Sequence, residues 1–214
     1  MGFDFLKYKI ESSFLSKDAL SSSGTGDGRL DSAESESDVI KHLHSLFDGT
    51  EVKVVDAPKP RFWYDVFFEL DGKRYYTNVK VTSGKQPDNV SSKFGLFYTL
   101  TGILPDEVNE NINNWGPYNK KLLENLNYNT DADYYFVIYF KESQTFLVTS
   151  LKRIQTLSSN GSNLPFQCKW SANHTFSNRT LKEQCDYILN VYYDSWTKKV
   201  AGFVPLMNWR QNKV

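Results

Sequence analysis

Cysteine is scarce in this chain, and its scarcity limits the sites and compartments that the sequence fits. The chain holds two cysteines, Cys168 and Cys185, which supply neither a disulfide framework nor the spacing of a zinc site. Residues 1–20 contain neither the basic segment nor the apolar run of a secretory signal peptide. We therefore expect a cytoplasmic protein.

Long apolar runs and an excess of charge of either sign are also absent. No stretch approaches the apolar length that a membrane span needs, so we expect no membrane partner. Lys and Arg number 25, as do Asp and Glu, which argues against a protein that coats nucleic acid. The length of 214 residues, 40% of them hydrophobic and 23% charged, predicts a single domain spanning residues 1–214.

Charge is nevertheless distributed unevenly along the chain. Residues 1–60 contain 7 Lys and Arg against 11 Asp and Glu, whereas residues 61–214 contain 18 against 14. A weakly basic main body suits a protein that binds DNA in a cleft.

The pattern of apolar residues predicts helices and paired strands. Helical spacing predicts helices over residues 35–47, 89–101, 118–126 and 180–198. Strand-forming runs predict two hairpins, formed by 62–70 with 73–81 and by 134–140 with 145–151. The segment 18–32, rich in Ser, Gly and Asp, is expected to be a flexible loop. These elements indicate a mixed α/β (α+β) domain in which a twisted mixed sheet is flanked by helices.

The first predicted hairpin brings three polar side chains together. Asp71-Gly72 between two strand-forming runs is a strong signal for a two-residue turn. That turn places Asp65 opposite Asn78, and because strand side chains alternate between faces, Lys80 projects from the same face. A three-residue loop would break this register.

A carboxylate, an amide oxygen and an ammonium group at one place suit metal-assisted phosphate chemistry. Asp65 and Asn78 would supply oxygen ligands for Mg²⁺, and Lys80 would orient the attacking water and stabilise the charge of the transition state. The alternative is an ordinary solvent-facing side of a strand.

A further acidic residue on the first helix is expected to complete the metal site. Glu36 precedes Val39 by three residues and therefore shares the apolar face of the helix, which aims its carboxylate at the sheet. Glu34 is the competing candidate, and a plain carboxylate at a helix N-terminus is the alternative for both.

These residues resemble the motif of the PD-(D/E)XK nuclease superfamily, a hairpin that carries Asp and then Asp/Glu-x-Lys. Asp65 and Asn78-Val79-Lys80 match it, and residues 33–102 are similar to type II restriction endonucleases of the EcoRV and HincII class, in which Asn-x-Lys is a tolerated variant. The resemblance implies a restriction-endonuclease-like catalytic core over 33–102 and a Mg²⁺ site that includes the Val79 backbone carbonyl. It also implies a homodimer that cleaves double-stranded DNA in the bacterial cytoplasm, as part of a restriction system.

Two positions depart from the motif. Tyr64 stands where Pro is usual, which is a mild change. Asn78 stands where an acid is usual, which removes a negative charge and implies weaker metal affinity or greater dependence on Glu36. The alternatives are a catalytically silent DNA-binding protein, a repair or junction nuclease of the same fold, and an interaction domain that binds no nucleic acid.

Two polar segments are candidates for DNA contact, because Lys, Arg, Asn and Gln match phosphates and base edges. The first follows the catalytic strand, and its candidates are Lys85, Gln86, Asn89 and Lys93. The second, a candidate recognition loop at 160–180, precedes a capped helix whose N-terminal amides suit a phosphate. Its candidates are Asn163, Lys169, Asn173, His174, Asn178 and Arg179. A solvated polar loop is the alternative for both segments.

Overall fold

The computed structural model describes residues 2–21, 28–90, 92–108 and 111–205, and it describes their side chains except at 28–33. Within these ranges the α-helices are α1 (Gly2–Glu11), α2 (Gly28–Phe47), α3 (Lys93–Thr101), α4 (Trp115–Glu124) and α5 (Leu181–Ala201). The strands are β1 (Lys53–Asp56), β2 (Val66–Leu70), β3 (Lys73–Thr82), β4 (Asp88–Val90), β5 (Tyr135–Phe140), β6 (Thr145–Ser150) and β7 (Phe166–Cys168).

The main sheet has five strands in the order β1-β2-β3-β5-β6. β3 and β5 run parallel, and the other neighbours are antiparallel. A second, two-stranded sheet pairs β4 with β7. The mixed sheet with flanking helices confirms the predicted mixed α/β class.

The alternation of side chains along the strands builds a core on each face of the main sheet. On one face, apolar residues of α1 and α2, such as Leu6 and Val39, pack with Val79 of β3. On the other face, residues of α3, α4 and α5, such as Leu96, pack with Phe136 of β5. Asn78 and Lys80 alternate with Val79 and therefore point to the face covered by α3.

The turn of the first hairpin confirms the predicted register. Leu70 pairs with Lys73 and Val66 pairs with Thr77. The two turn residues have positive φ, 52° at Asp71 and 72° at Gly72, as a tight turn matched to the strand twist requires. β2 begins at Val66, one residue after Asp65, so the predicted strand from Phe62 is shorter than expected.

The predicted helix over 89–101 is wrong in its first part. Asn89 lies in β4, where it pairs with Gln167 of β7, and α3 begins only at Lys93. The cause is a strand pairing between segments far apart in sequence, which outweighs local helical spacing. The predicted end is confirmed, because Gly102 has a φ of 77° and caps the helix.

The start of α2 also differs from prediction, whereas the start of α5 does not. α2 begins at Gly28 rather than near residue 35, so the loop predicted at 18–32 is shorter, and its residues 22–27 lie outside the described residues. α5 begins as predicted, with the Thr180 and Glu183 side chains each bonding the other's backbone N–H. In the described part of the chain, no helix has both the length and the apolar character needed to cross a membrane.

Candidate functional site

The backbone of Asp65 is held on both sides just before β2. Its N–H donates at 2.9 Å to the carbonyl of Thr77, the residue of β3 that pairs with Val66. Its carbonyl accepts from the N–H of Ala57 at 2.9 Å, just beyond the end of β1. Asp65 is therefore fixed by the sheet although it lies outside a strand.

The Asp65 carboxylate faces Asn78, as the register predicts. Its Oδ2 accepts from Asn78 Nδ2 at 2.6 Å and from the Val79 backbone N–H at 2.8 Å. Burial raises the pKa of Asp65, while these two donors and the charge of Lys80 act in the opposite direction. The structure thus brings together Asp65, Asn78 and Lys80.

Two oxygens near Asp65 are placed to serve as further cation ligands. Asn78 Oδ1 is buried and has no hydrogen-bond partner among the described residues, although buried polar atoms are normally paired. The Val79 N–H points at Asp65, and in a strand the carbonyl of the same residue points to the same side. These oxygens, together with the Asp65 carboxylate, fit the all-oxygen ligands of Mg²⁺.

Carboxylates alone do not build a cation site here. Over the described ranges, no group of three or more His, Cys, Asp and Glu side chains is placed to hold a metal ion. A bound Mg²⁺ would therefore depend on the Asn78 amide oxygen, backbone carbonyl oxygen, water and substrate phosphate. Such mixed coordination is usual for Mg²⁺ in phosphate-processing sites.

Glu36 reaches the site from α2, whereas Glu34 is exposed. Its Oε1 lies 3.7 Å from Lys80 Nζ, and the Lys80 and Glu36 side chains are 28% and 25% exposed. Glu36 is thus placed to orient the Lys80 ammonium group.

Asp88 is a second acidic residue near Lys80, and the sequence analysis did not place it there. Its Oδ2 is buried without a hydrogen-bond partner in the described part of the chain. Burial raises the pKa of Asp88, and the Thr82 hydroxyl and Lys80 oppose the shift. In the sequence, the one feature that pointed to Asp88 was its position in the segment after β3. The pairing of β4 with β7 is what brings Asp88 toward Lys80.

Asn78 and Lys80 lie in the wall of a cleft with a volume of about 660 Å³. Four cationic side chains line it, namely Lys59, Arg61, Lys80 and Lys93. Asp106 is the one acidic side chain among the described residues that line it. The cleft therefore suits an anionic ligand, and the cations of the segment 59–61 were not predicted from the sequence.

Lys93, like Lys80, is a partly buried cation of the cleft, whereas Lys59 and Arg61 are exposed. Its Nζ lies 4.4 Å from the Trp115 ring centroid and 4.7 Å from that of Tyr118, and it donates to the Asn113 carbonyl at 2.6 Å. Burial lowers the pKa of Lys93 to about 8. Its placement in the cleft agrees with the predicted contact with an anion, which stays a prediction.

The two predicted DNA-contact segments lie side by side. β4 in the first pairs with β7 in the second, and Asn89 Oδ1 accepts from Asn160 Nδ2 at 3.0 Å and from Gln167 Nε2 at 3.1 Å. Lys85 and Gln86 are exposed beside this junction. Among the candidates of the second segment, four are exposed, namely Asn163, Lys169, His174 and Asn178.

The structure corrects one predicted DNA contact, Asn173, and shows that a second, Arg179, makes hydrogen bonds within the protein. Asn173 is 1% exposed, and its side-chain oxygen accepts from the N–H groups of Gln155 and Thr156, each at 2.9 Å. Arg179 donates to the carbonyls of Ile154 and Gln155 and lies over the Tyr187 ring. Both side chains hold the loop in place. Asn173 is therefore not available to DNA, whereas Arg179 keeps part of its surface exposed, and its contact with DNA stays a prediction.

Tyr134 links the cleft wall to the segment that carries Asp65. Its hydroxyl donates to the Trp63 carbonyl at 2.6 Å, and the residue is 1% exposed. We expect Tyr134→Phe to lower the free energy of unfolding by about 1–3 kcal/mol, because the buried carbonyl loses its donor. Denaturant unfolding measures this loss, and Tyr193→Phe, at a 69% exposed tyrosine, is the matched control. Equal stability of both variants and the wild type would exclude this role for Tyr134.

Comparison of the chain with models of known protein families and with curated proteins finds no match. A function for the chain therefore rests on the geometry and charge of the site.

Proposed function

We propose that this chain is a Mg²⁺-dependent type II site-specific deoxyribonuclease that hydrolyses phosphodiester bonds in double-stranded DNA. The observation that carries the proposal is the hydrogen bond between Asp65 and Asn78, where Asn78 and Lys80, on one face of β3, line a cationic cleft. Water attack on a phosphodiester needs a metal site, a cation for the transition state and a surface for the DNA backbone.

The metal would be held by Asp65, the Asn78 side-chain oxygen and the Val79 carbonyl. When bound, Mg²⁺ lowers the pKa of a coordinated water and neutralises charge on the phosphate. The buried, unpaired Asn78 Oδ1 supports this role, because a cation would satisfy an oxygen that the described residues leave without a partner.

Lys80 would stand between the metal site and the scissile phosphate. Its ammonium group orients the attacking water and stabilises the charge that develops on the phosphate oxygens. Glu36, at 3.7 Å, holds the ammonium group in place.

The remaining cations would bind the DNA backbone on either side of the scissile bond. Lys59 and Arg61 are exposed at the cleft, and Lys93 lies at the start of α3. Each phosphate that such a cation neutralises releases counterions, so binding should weaken as salt rises. A palindromic target would require two copies of the chain related by twofold symmetry, one for each strand.

A catalytically silent DNA-binding protein is the second candidate. Asn78 favours it, because an amide replaces one acid of the nuclease motif, and Asp65 Oδ2 already accepts from two donors. A cleft of the same charge would then bind DNA without hydrolysing it.

Digestion of DNA separates the two candidates. Purified protein is incubated with unmethylated phage DNA in Mg²⁺, in Mn²⁺ and in EDTA, beside Asp65→Asn, which keeps the shape of the side chain and removes its charge. We expect discrete fragments from the wild type with either metal, and a rate lower by at least about a hundredfold in Asp65→Asn. Intact DNA under every condition, with salt-dependent binding retained, would exclude the nuclease and favour the silent protein.

A further inference from the structure

The cleft beside Asn78 and Lys80 is lined by cationic side chains and by aromatic side chains. Its cations are described above, and aromatic residues supply much of the rest, namely Phe62, Trp63, Phe94 and Tyr134. Phe62 and Phe94 are only partly buried, so part of their ring surface remains accessible. Trp63 is fixed, because its Nε1 donates to Asp106 Oδ1 at 2.8 Å and its carbonyl accepts from Tyr134.

The size of the cleft limits what can enter it. At about 660 Å³ it lies within the range of pockets that enclose a small organic ligand. A nucleotide is a ligand of that class, whereas a double helix can only lie across the opening.

Binding of phosphate groups explains the cationic side chains of the cleft but not its aromatic side chains. Contacts to the DNA backbone come from Lys, Arg and amide groups, which are present in the cleft. Aromatic faces instead provide stacking surfaces for bases, and each stacked base contributes to affinity whatever its identity. The cleft has both cationic and aromatic side chains and lies next to a candidate site for phosphodiester hydrolysis. It therefore matches both the phosphate and the base of a nucleotide.

We propose that this cleft receives one nucleotide turned out of the duplex stack beside the scissile phosphate, with its base against Phe62 and Phe94. The inference rests on the proposed function and narrows its substrate to DNA that holds an unpaired nucleotide or yields one on binding. Lys59 and Arg61 would meet the phosphates that flank this nucleotide.

Binding to matched DNA substrates tests the inference. The wild type is titrated in EDTA with a paired duplex, with the same duplex carrying one extra unpaired nucleotide, and with the same duplex carrying a single-stranded tail. We expect the unpaired nucleotide to tighten binding by about tenfold or more, because the cost of unstacking a base is already met. If the protein instead binds the tailed duplex most tightly, the nucleotide that enters the cleft comes from the end of a strand and not from within the duplex.

Two changes should remove this preference. In Phe94→Leu and Phe62→Leu we expect a loss of about five- to hundredfold for the unpaired substrate, the range measured for a stacked base. Phe14→Leu, at a 71% exposed phenylalanine, is the control and should keep the preference. A duplex with an abasic site at the unpaired position tests the role of the base in binding to the wild-type protein. This substrate keeps the DNA backbone and lacks only the base.

The results separate the inference from the proposed function. Equal affinity for paired, unpaired, abasic and tailed DNA would overturn the nucleotide pocket and leave the nuclease standing. No binding to any of these DNAs would overturn both.

Discussion

Lys80→Met should lower the rate of DNA cleavage about 100- to 1,000-fold, the usual effect of removing one group that stabilises transition-state charge. Methionine keeps most of the length of the side chain and removes its charge. Because the Lys80 and Glu36 side chains are about three-quarters buried, loss of their ion pair should lower the free energy of unfolding by up to about 3 kcal/mol. A domain with the usual stability of about 5–15 kcal/mol tolerates this loss, so the variant should fold and fail in catalysis.

The matched control is Lys85→Met, which removes the same charge from an exposed lysine five residues further along. If Lys85 touches a phosphate, this variant should lower DNA affinity and reduce the slope of log K against log salt by about one, with a nearly unchanged single-turnover rate. Single-turnover cleavage at saturating protein separates the two effects. Wild-type rates in Lys80→Met would remove Lys80 from the proposed mechanism.

The part of the site that can be predicted from the sequence is the part whose geometry follows from a single β-turn. Asp71-Gly72 fixes a two-residue hairpin, and the pairing that follows brings Asp65 to Asn78. No contact from distant parts of the chain is needed for this step. The helical spacing of Val39 likewise placed Glu36 toward the sheet, but α2 covers the face that carries Val79, so only the structure shows that Glu36 reaches Lys80.

The part that could not be predicted depends on contacts between distant segments. The pairing of β4 with β7 joins segments nearly eighty residues apart in sequence, so local patterns could not place Asp88 near Lys80 or join the two polar loops. The cleft likewise combines residues from several separate segments, and its volume exists only when the sheet and α3 are assembled.

Asn173 shows a different limit of sequence reasoning. Its neighbours are polar, which predicted an exposed side chain available to DNA. The structure instead buries the amide, which accepts from two backbone N–H groups and donates to the carbonyls of Thr156 and Lys169. Loops that fold back on themselves need such internal partners for their backbone groups, and composition does not distinguish these residues from exposed ones.

Asn78→Asp should make the stability of the protein depend strongly on Mg²⁺. The change replaces the Asn78 Nδ2 donor, 2.6 Å from Asp65 Oδ2, with a second carboxylate oxygen. Burial already raises the pKa of Asp65, so a second negative charge beside it is unfavourable without a cation. In EDTA we expect a loss of about 1.5–3 kcal/mol, the usual value of a hydrogen bond to a charged group, which lowers Tm by roughly 3–12 °C in a chain of this size.

Added Mg²⁺ should reverse this loss and strengthen catalysis at low metal concentration. A second carboxylate attracts the cation more strongly than an amide oxygen does, so the Mg²⁺ concentration for half-maximal cleavage should fall by about tenfold or more. Thermal unfolding in EDTA and across a Mg²⁺ titration measures the first effect, and cleavage rates across the same titration measure the second. Asn129→Asp adds the same charge at an exposed turn residue outside the candidate DNA-contact segments and should show neither. If Asn78→Asp were as stable as the wild type in EDTA and indifferent to Mg²⁺, no cation would bind between residues 65 and 78, and the metal site proposed there would be wrong.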